Sequence, residues 1–272
     1  MGGGGRLSGK TAFVTGASRG IGADVARQAV QRGARVGLLA RSAADLERLR
    51  LELGDSAVSA CVDVLDAEQV RAAVATVTNA FGPIDVVVAN AGVGLYGTFL
   101  EATVEDLARV MDTNYLGTVH LLKEALPAMA ERRRGHVAIV GSIAGRIGSP
   151  FEAGYSASKF AQTALAEALS VELAPFGIGV SLVSPGPVST SFFEARGHAY
   201  DRPRPKPDSP AKVARVVLDA VEHEKADVFV SGFMHQALIS KTLFPPLFRW
   251  GTSRAFAKEL AAIRPGSNTG AG

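Results

Sequence analysis

Seven short apolar runs, separated by stretches that favour helix, constrain this chain more than any other feature. They are Thr11–Val14, Arg35–Ala40, Ala57–Val62, Ile84–Ala89, His136–Val140, Ile178–Val183 and Asp227–Val230. Their length and β-branched content mark them as buried strands rather than pieces of helix. Strands alternating with helices along a chain imply a parallel sheet covered on both faces and joined by right-handed crossovers. No internal repeat and no Pro/Gly-rich linker divides residues 9–232. The pattern therefore predicts one doubly wound α/β domain over 9–232. A flexible leader, 1–8, precedes it. An apolar extension, 233–272, follows and packs on the same domain or on a partner subunit.

Sheets of this kind bind ligands at the carboxyl ends of their strands. Gly16, Asn90, Ser142 and Pro185 all follow predicted strands, which places them around one cleft. The first of these segments, Thr15-Gly-Ala-Ser-Arg-Gly-Ile-Gly22, joins a strand to a helix that runs to about Arg32. Missing Cβ atoms at Gly16, Gly20 and Gly22 let the backbone turn tightly and approach a pyrophosphate at the helix N-terminus. Ser18, Arg19 and Ile21 lie in the same loop and share that candidate role.

A second segment, Ser142 to Lys159, follows the fifth strand and enters an Ala-rich helix over about 153–176. Tyr155 and Lys159 are four residues apart, so on that helix they share a face. An ammonium beside a phenol favours the phenolate and lowers its pKa. Tyr155 then becomes a proton donor or acceptor, with Ser142 placed to bind the oxygen that receives the proton. Taken alone, the pair could equally be a surface Tyr and Lys one turn apart.

With the glycine loop upstream, these residues resemble the short-chain dehydrogenase/reductase family, whose active-site pattern is a Ser, a Tyr-x-x-x-Lys and an upstream Asn. The resemblance runs from about Gly9 to Gly232. It implies a Rossmann-type fold, a nicotinamide cofactor and hydride exchange between a ketone or aldehyde and an alcohol. The catalytic residues it implies are Asn114, Ser142, Tyr155 and Lys159. Asn114 stands in Asn-Tyr-Leu-Gly within a helix expected over about 104–131. In the family this Asn holds a water that links the Lys to solvent; a satisfied core amide is the alternative. The resemblance also gives Tyr155 and Lys159 contacts with the cofactor, and puts Asp63 and Val64 at the adenine edge. Asn90, Ala91 and Gly92 form the turn beside the cofactor, with Ala89 where the family has another Asn. Pro185, Gly186, Val188 and Thr190 would close over the nicotinamide.

The second strand ends at Ala40 and continues into Arg41 and Ser42, where an NAD enzyme usually offers a carboxylate to the ribose hydroxyls. A guanidinium instead matches a 2′-phosphate, and Arg19 could add a second cation. Both arginines could also be plain surface residues. The reading is an NADP(H)-dependent oxidoreductase, a carbonyl reductase acting on a bulky apolar substrate. Leu95, Tyr96, Phe151, Phe192 and Phe193 lie near the site loops and suggest that substrate, and the irregular stretch 191–210 reads as a lid. The alternatives are a 3-oxoacyl-thioester reductase of lipid or polyketide synthesis and a non-enzymatic NADP(H)-sensing protein.

Composition narrows the rest. A single cysteine, Cys61, rules out an internal disulfide and suits a reducing, cytoplasmic setting; its place in a strand predicts a buried thiol. The five histidines lack metal-ligand spacing, so no metal is expected. At a net charge of +3, the clusters Arg132–Arg134 and Arg202–Lys206 read as solvated loops, not a nucleic-acid surface. The expected assembly is a homodimer or homotetramer, paired through the helices near 104–131 and 153–176. In the extension, Pro245-Pro246 should interrupt any helix, and a further helix is expected over about 253–263. That extension reads as a flap or subunit contact. Shallow membrane association through Phe244, Leu247, Phe248 and Trp250, with Lys241, Arg249 and Arg254 facing anionic lipid, is the less favoured reading.

Overall fold

The computed structural model describes residues 6–201 and 205–263. Its strands are β1 (Thr11–Thr15), β2 (Arg35–Ala40), β3 (Ala57–Cys61), β4 (Val86–Ala89), β5 (Gly135–Val140), β6 (Ile178–Ser184) and β7 (Asp227–Phe229). All pair in parallel, in the order β3-β2-β1-β4-β5-β6-β7. The helices are α1 (Gly20–Gln31), α2 (Ala43–Leu53), α3 (Ala67–Phe81), α4 (Val104–Met111), α5 (Gly117–Glu131), α6 (Ala153–Glu172), α7 (Phe192–Ala195) and α8 (Pro210–Glu222).

Side-chain alternation along the strands builds two cores. Ala12, Val14, Val36, Leu38 and Val88 face one layer, against Val25 and Ala29 of α1, Leu46 of α2 and Val217 of α8. Phe13, Leu39, Val87 and Ile139 face the other, against Val77 of α3, Leu121 and Met129 of α5 and Ala166 of α6. Because both faces are covered, the central strands carry continuous apolar runs, and that is why they stand out in the sequence. Caps fix the helix starts: Ser42, Asp66, Thr103 and Ser209 each accept a hydrogen bond from the backbone amide three residues on. In α8, Pro210 at the first position strengthens the signal.

Four local expectations change. The single helix expected over 104–131 divides into α4 and α5, separated by a π-helical turn, Asp112–Leu116. Tertiary hydrogen bonds to that turn, described below, account for the break. Cys61 is exposed rather than buried, because β3 is the sheet's edge and Cys61 ends it; its thiol donates to the Arg41 carbonyl at 3.3 Å. The stretch 191–210 is less irregular than expected, holding α7 and a parallel bridge between Val188 and Asp208. Residues 202–204 of the basic cluster, 1–5 of the leader and 264–272 of the extension lie outside the described residues.

The fourth change is in the extension. The chain divides into two compact units at Ser231/Gly232. The second unit carries α9 (Phe233–Leu243), α10 (Pro245–Ala255) and α11 (Ala257–Ala262). Phe244 is the break between the first two, and Pro245 opens α10, where its missing N–H costs nothing. The helix expected over 253–263 is split at Phe256. Among the described residues no helix is long and apolar enough to cross a membrane.

Candidate active site

In the strand order, β1 lies between β2 and β4, so successive crossovers leave β1 in opposite directions. That reversal opens a crevice at the carboxyl ends of β1 and β4. Gly16 takes a left-handed φ of +64°, and a Cβ there would stand 2.9 Å from Asn90 Nδ2. A Cβ at Gly22 would stand 2.2 Å from the Gly16 carbonyl oxygen, so the loop folds back on the start of α1. The Asn90 amide donates to the carbonyls of Thr15 at 3.0 Å and Gly16 at 3.3 Å. In return, the Thr15 hydroxyl accepts from the backbone amides of Asn90 and Ala91 and donates to Val88 O. The two loops at the crevice are thereby laced into one floor.

Arg19 occupies the N-cap of α1 with an extended backbone. Among the described residues no side chain caps this helix, and its first turn holds no acid. Its amides and positive dipole end are available to an anion, beside Ser18 and Ile21 in the same loop. Thr190 closes the loop from the other side: a Cβ at Gly20 would lie 3.1 Å from the Thr190 methyl. The segment through Pro185, Gly186 and Val188 is anchored by Ile143 N donating to Pro185 O at 2.8 Å and by the bridge from Val188 to Asp208. These residues fit the pyrophosphate of a dinucleotide.

At the ends of β2 and β3 lie the remaining nucleotide candidates. The Asp63 carboxylate accepts from Leu65 N at 3.0 Å, and Val64 is buried with its carbonyl on His120 Nδ1 at 3.0 Å. Arg19 and Arg41 are exposed, and neither is ion-paired among the described residues. Ser42 caps α2 and donates to Asp45 at 2.8 Å. Asp45 is an acid the sequence reading did not weigh. Its pKa is lowered, first by the Ser42 hydrogen bond, then by Arg48, with a smaller contribution from Arg19.

Ser142 is buried at the start of a 3₁₀ turn, Ile143–Gly145, where its hydroxyl accepts from Ala144 N at 3.1 Å. A Cβ at Gly145 would stand 2.6 Å from the Lys159 carbonyl oxygen, so the turn packs directly on α6. Tyr155 projects from α6 towards Ser142 and is only 9% exposed. Burial lifts its pKa well above the usual value, Ser142 opposes that through a hydrogen bond, Glu152 adds to it and Arg196 opposes it. Lys159 is buried, and desolvation pulls its pKa down to about 7.

This reverses the simple expectation that the ammonium lowers the phenol's pKa. Lys159 Nζ lies 5.9 Å from the Tyr155 ring centroid and donates to Val140 O at 3.0 Å and to Gln162 Oε1 at 2.8 Å. Desolvation is the leading cause of the shift at both groups. Gly92 sits beside Lys159 and Asn114, which brings the loop 90–92 to the same centre.

Asn114 is fully buried in the π turn. Its side chain is paired with both backbone groups of Val93, at 2.8 and 3.0 Å, and donates to Ser158 Oγ at 2.8 Å. Contacts thus link the glycine loop, Asn90–Gly92, Asn114 and Lys159, and join Ser142 to Tyr155 and the 185–190 segment to both groups, while Arg41, Ser42 and Asp63 follow the neighbouring strands β2 and β3.

Aromatic side chains roof the crevice. Phe192 lies against Tyr155, and Leu95 and Val93 join the same cluster with Val110 and Ala144. Tyr96 stacks on Phe151 at 5.7 Å and on His198 at 4.1 Å. Arg196 lies over the rings of Tyr96 and Phe193, and pairs with Glu152 at the start of α6. Phe151 holds a left-handed φ of 64°, an uncommon conformation for a bulky residue and one that clusters at functional sites. Thr15, Glu152, Ser158, Gln162 and Arg196 are the residues missed from sequence. The signal for two of them was present: Tyr155, Ser158, Lys159 and Gln162 recur at helical spacing on a face that is buried.

A family model described as short chain dehydrogenase matches residues 10–201. Dehydrogenase/reductase SDR family member 7B of Mus musculus is 36% identical over 250 residues, covering 86% of this chain and 77% of that protein. Ketoacyl reductase HetN of Nostoc sp. is 32% identical over 228 residues, covering 83% and 79%. The crystal structure of a short-chain dehydrogenase from Streptomyces avermitilis superposes with a TM-score of 0.76 at 31% identity, covering 94% of this chain and 99% of that one.

Proposed function

This chain belongs to the short-chain dehydrogenase/reductase family of nicotinamide-dependent oxidoreductases, and we propose that it is an NADP(H)-dependent carbonyl reductase acting on a bulky apolar ketone or aldehyde. The observation that carries the reading is the buried Ser142–Tyr155 contact, with Lys159 one turn further along α6. Bound nicotinamide nucleotide would supply the hydride; the protein supplies placement and electrostatics. The Tyr155 hydroxyl donates its proton to the carbonyl oxygen as charge develops there. Ser142 holds that oxygen by a second hydrogen bond, which strengthens with the charge. Lys159, with a pKa near neutrality, replaces the proton that Tyr155 gives up. The raised pKa of Tyr155 keeps the phenol protonated, as an acid must be before it acts.

The preference for NADP rests on Ala40 at the end of β2 and on the exposed Arg19 and Arg41 beside it. Asp45, an acid in the first turn of α2, is held by Ser42 and Arg48. The apolar substrate is argued from Leu95, Tyr96, Phe151 and Phe192 around Tyr155. A 3-oxoacyl thioester is the second reading, favoured by the 32% identity to a protein named ketoacyl reductase. An NADP(H) sensor without turnover has no use for the buried Ser142, Tyr155 and Lys159. We place the protein in the cytoplasm as a homodimer or homotetramer.

Following NADPH oxidation with a panel of aryl and alkyl ketones, aldehydes and 3-oxoacyl thioesters tests the reading. Turnover with bulky ketones or aldehydes supports it. Turnover confined to thioesters favours the second reading, and binding of NADPH with no turnover on any of them supports the sensor.

A further inference from the structure

The buried face of α6 carries one polar group for which the proposed chemistry gives no role. Gln162 is fully buried, two turns from Tyr155. Both ends of its amide are used. Its oxygen accepts from Lys159 Nζ at 2.8 Å. Its nitrogen donates to the backbone carbonyl of Asn114 and to Thr118 Oγ1, each at 2.8 Å. The Thr118 hydroxyl donates to that same Asn114 carbonyl at 2.8 Å.

That carbonyl oxygen thus accepts from two side chains, Gln162 and Thr118. In this chain the Gln162 amide spans the distance from Lys159 to Asn114 with its own two ends. An amide passes no proton along such a bridge without leaving its stable tautomer. It is, however, a fixed acceptor for a cation, and Val140 O is a second.

We propose that Gln162 is a positioning residue for Lys159: its side-chain oxygen holds the ammonium in place and favours its charged form, while its nitrogen anchors that oxygen to the π turn. Two of the three Lys159 N–H groups are thereby assigned, to Val140 and Gln162, which leaves one for the reaction centre beside Gly92. That third N–H is the one placed to serve the proton transfer to Tyr155. The last step rests on the function proposed above; the hold of Gln162 on Lys159 does not.

The surrounding charges are few. Burial depresses the Lys159 pKa, and Tyr155 is the titratable group nearest to it on α6. Glu152 and Arg196 act on Tyr155 and pair with each other. Arg146, at the end of the turn packed on α6, is tied to Glu167 and Asp227. Asp112 and Tyr115 flank Asn114 in the π turn and are half-buried. β5 offers Lys159 the neutral Val140 carbonyl.

The test titrates Lys159 directly in the protein without nucleotide, through the pH dependence of its side-chain ¹³Cε resonance, assigned by its absence from Lys159→Arg. Gln162→Leu removes the acceptor at similar volume, and the midpoint should fall by about one unit or more. Gln162→Met serves the same purpose if the Leu variant does not fold. Gln162→Glu puts a carboxylate at the same reach, and its midpoint should rise. A purely structural Gln162 would lower melting temperatures and leave the midpoint where it is. Midpoints within a few tenths of wild type in folded Leu or Met variants, or a Glu variant that titrates at or below wild type, overturn the proposal. Matching shifts in the pH profile of kcat/KM extend it to catalysis. Shifted midpoints with an unshifted profile uphold the Gln162–Lys159 contact and count against the role given to Lys159 in the reaction.

Discussion

The ring of Phe192 lies 5.5 Å, centroid to centroid, from the ring of Tyr155 and is tilted 53° to it. Phe192 opens the short helix α7, so the lid rests on the residue read here as the acid. Burial raises the Tyr155 pKa, and Phe192 is one of the rings packed against it. Phe192→Ala should let solvent reach the phenol and return its pKa towards the usual value. The alkaline limb of kcat/KM for ketone reduction then moves down by about one pH unit, and KM for the bulkiest substrates rises. An unmoved limb would show that Phe192 does not set the environment of Tyr155.

Arg41 stands exposed at the end of β2, with Ala40 where a ribose-binding acid would be. A guanidinium paired with phosphate contributes charge-assisted hydrogen bonds of about 1.5–3 kcal/mol. Arg41→Ala should therefore cut the ratio of kcat/KM for NADPH over NADH by about tenfold or more, mainly through NADPH. A ratio that does not change assigns the preference to Arg19 or removes the charge argument altogether.

His136 lies buried in β5, with Nε2 2.8 Å from Ser181 Oγ, whose hydroxyl donates to Lys225 O at 2.7 Å. That chain makes Nε2 the protonated nitrogen. Burial lowers the His136 pKa to about 4 from the usual 6.5, and Glu224 opposes the shift only in part. Between those values the unfolded chain binds the proton that the folded chain refuses. The stabilising effect of the neutral ring is thus whole above pH 6.5 and is lost as pH falls towards 4. The loss amounts to about 3 kcal/mol. Urea unfolding at a series of pH values should show this slope in the wild type and a shallower one in His136→Gln. Equal slopes would remove His136 from the account of acid stability.

How much of this was legible in the sequence differs from element to element. The strands announced themselves because a sheet covered on both faces turns β1 and β4 into unbroken apolar runs. The caps at Ser42 and Thr103 are local, and local signals survive without tertiary knowledge. The exposure of Cys61 depends on β3 being the edge strand, a fact of strand order that no window of sequence contains. The break at Asn114 is accompanied by a hydrogen bond from Gln162, forty-eight residues away, a contact that helix propensity could not show. The burial behind the raised Tyr155 pKa is likewise tertiary, and one ring packed on it comes from residue 192. Gln162 itself was readable as a polar residue on the buried stripe of α6.

Val104 and Val171, on α4 and α6, are 76% and 75% exposed, on the helices through which pairing was expected. If those helices pair two subunits, Val171→Glu places a charge in an apolar contact. Light scattering at micromolar concentration should then report a dimer or tetramer for the wild type and a smaller species for the variant. A monomeric wild type contradicts the assembly.

The central claim is that Tyr155 is the proton donor of a nicotinamide-dependent carbonyl reduction, and Tyr155→Phe tests it most directly. The substitution removes one buried hydroxyl and keeps the ring that packs on Phe192. NADPH binding, read by titration of its fluorescence, should stay within about threefold of wild type, while the single-turnover rate of ketone reduction falls by about a hundredfold or more. Unimpaired binding with a near-normal rate would contradict the account, because some other group would then be delivering the proton.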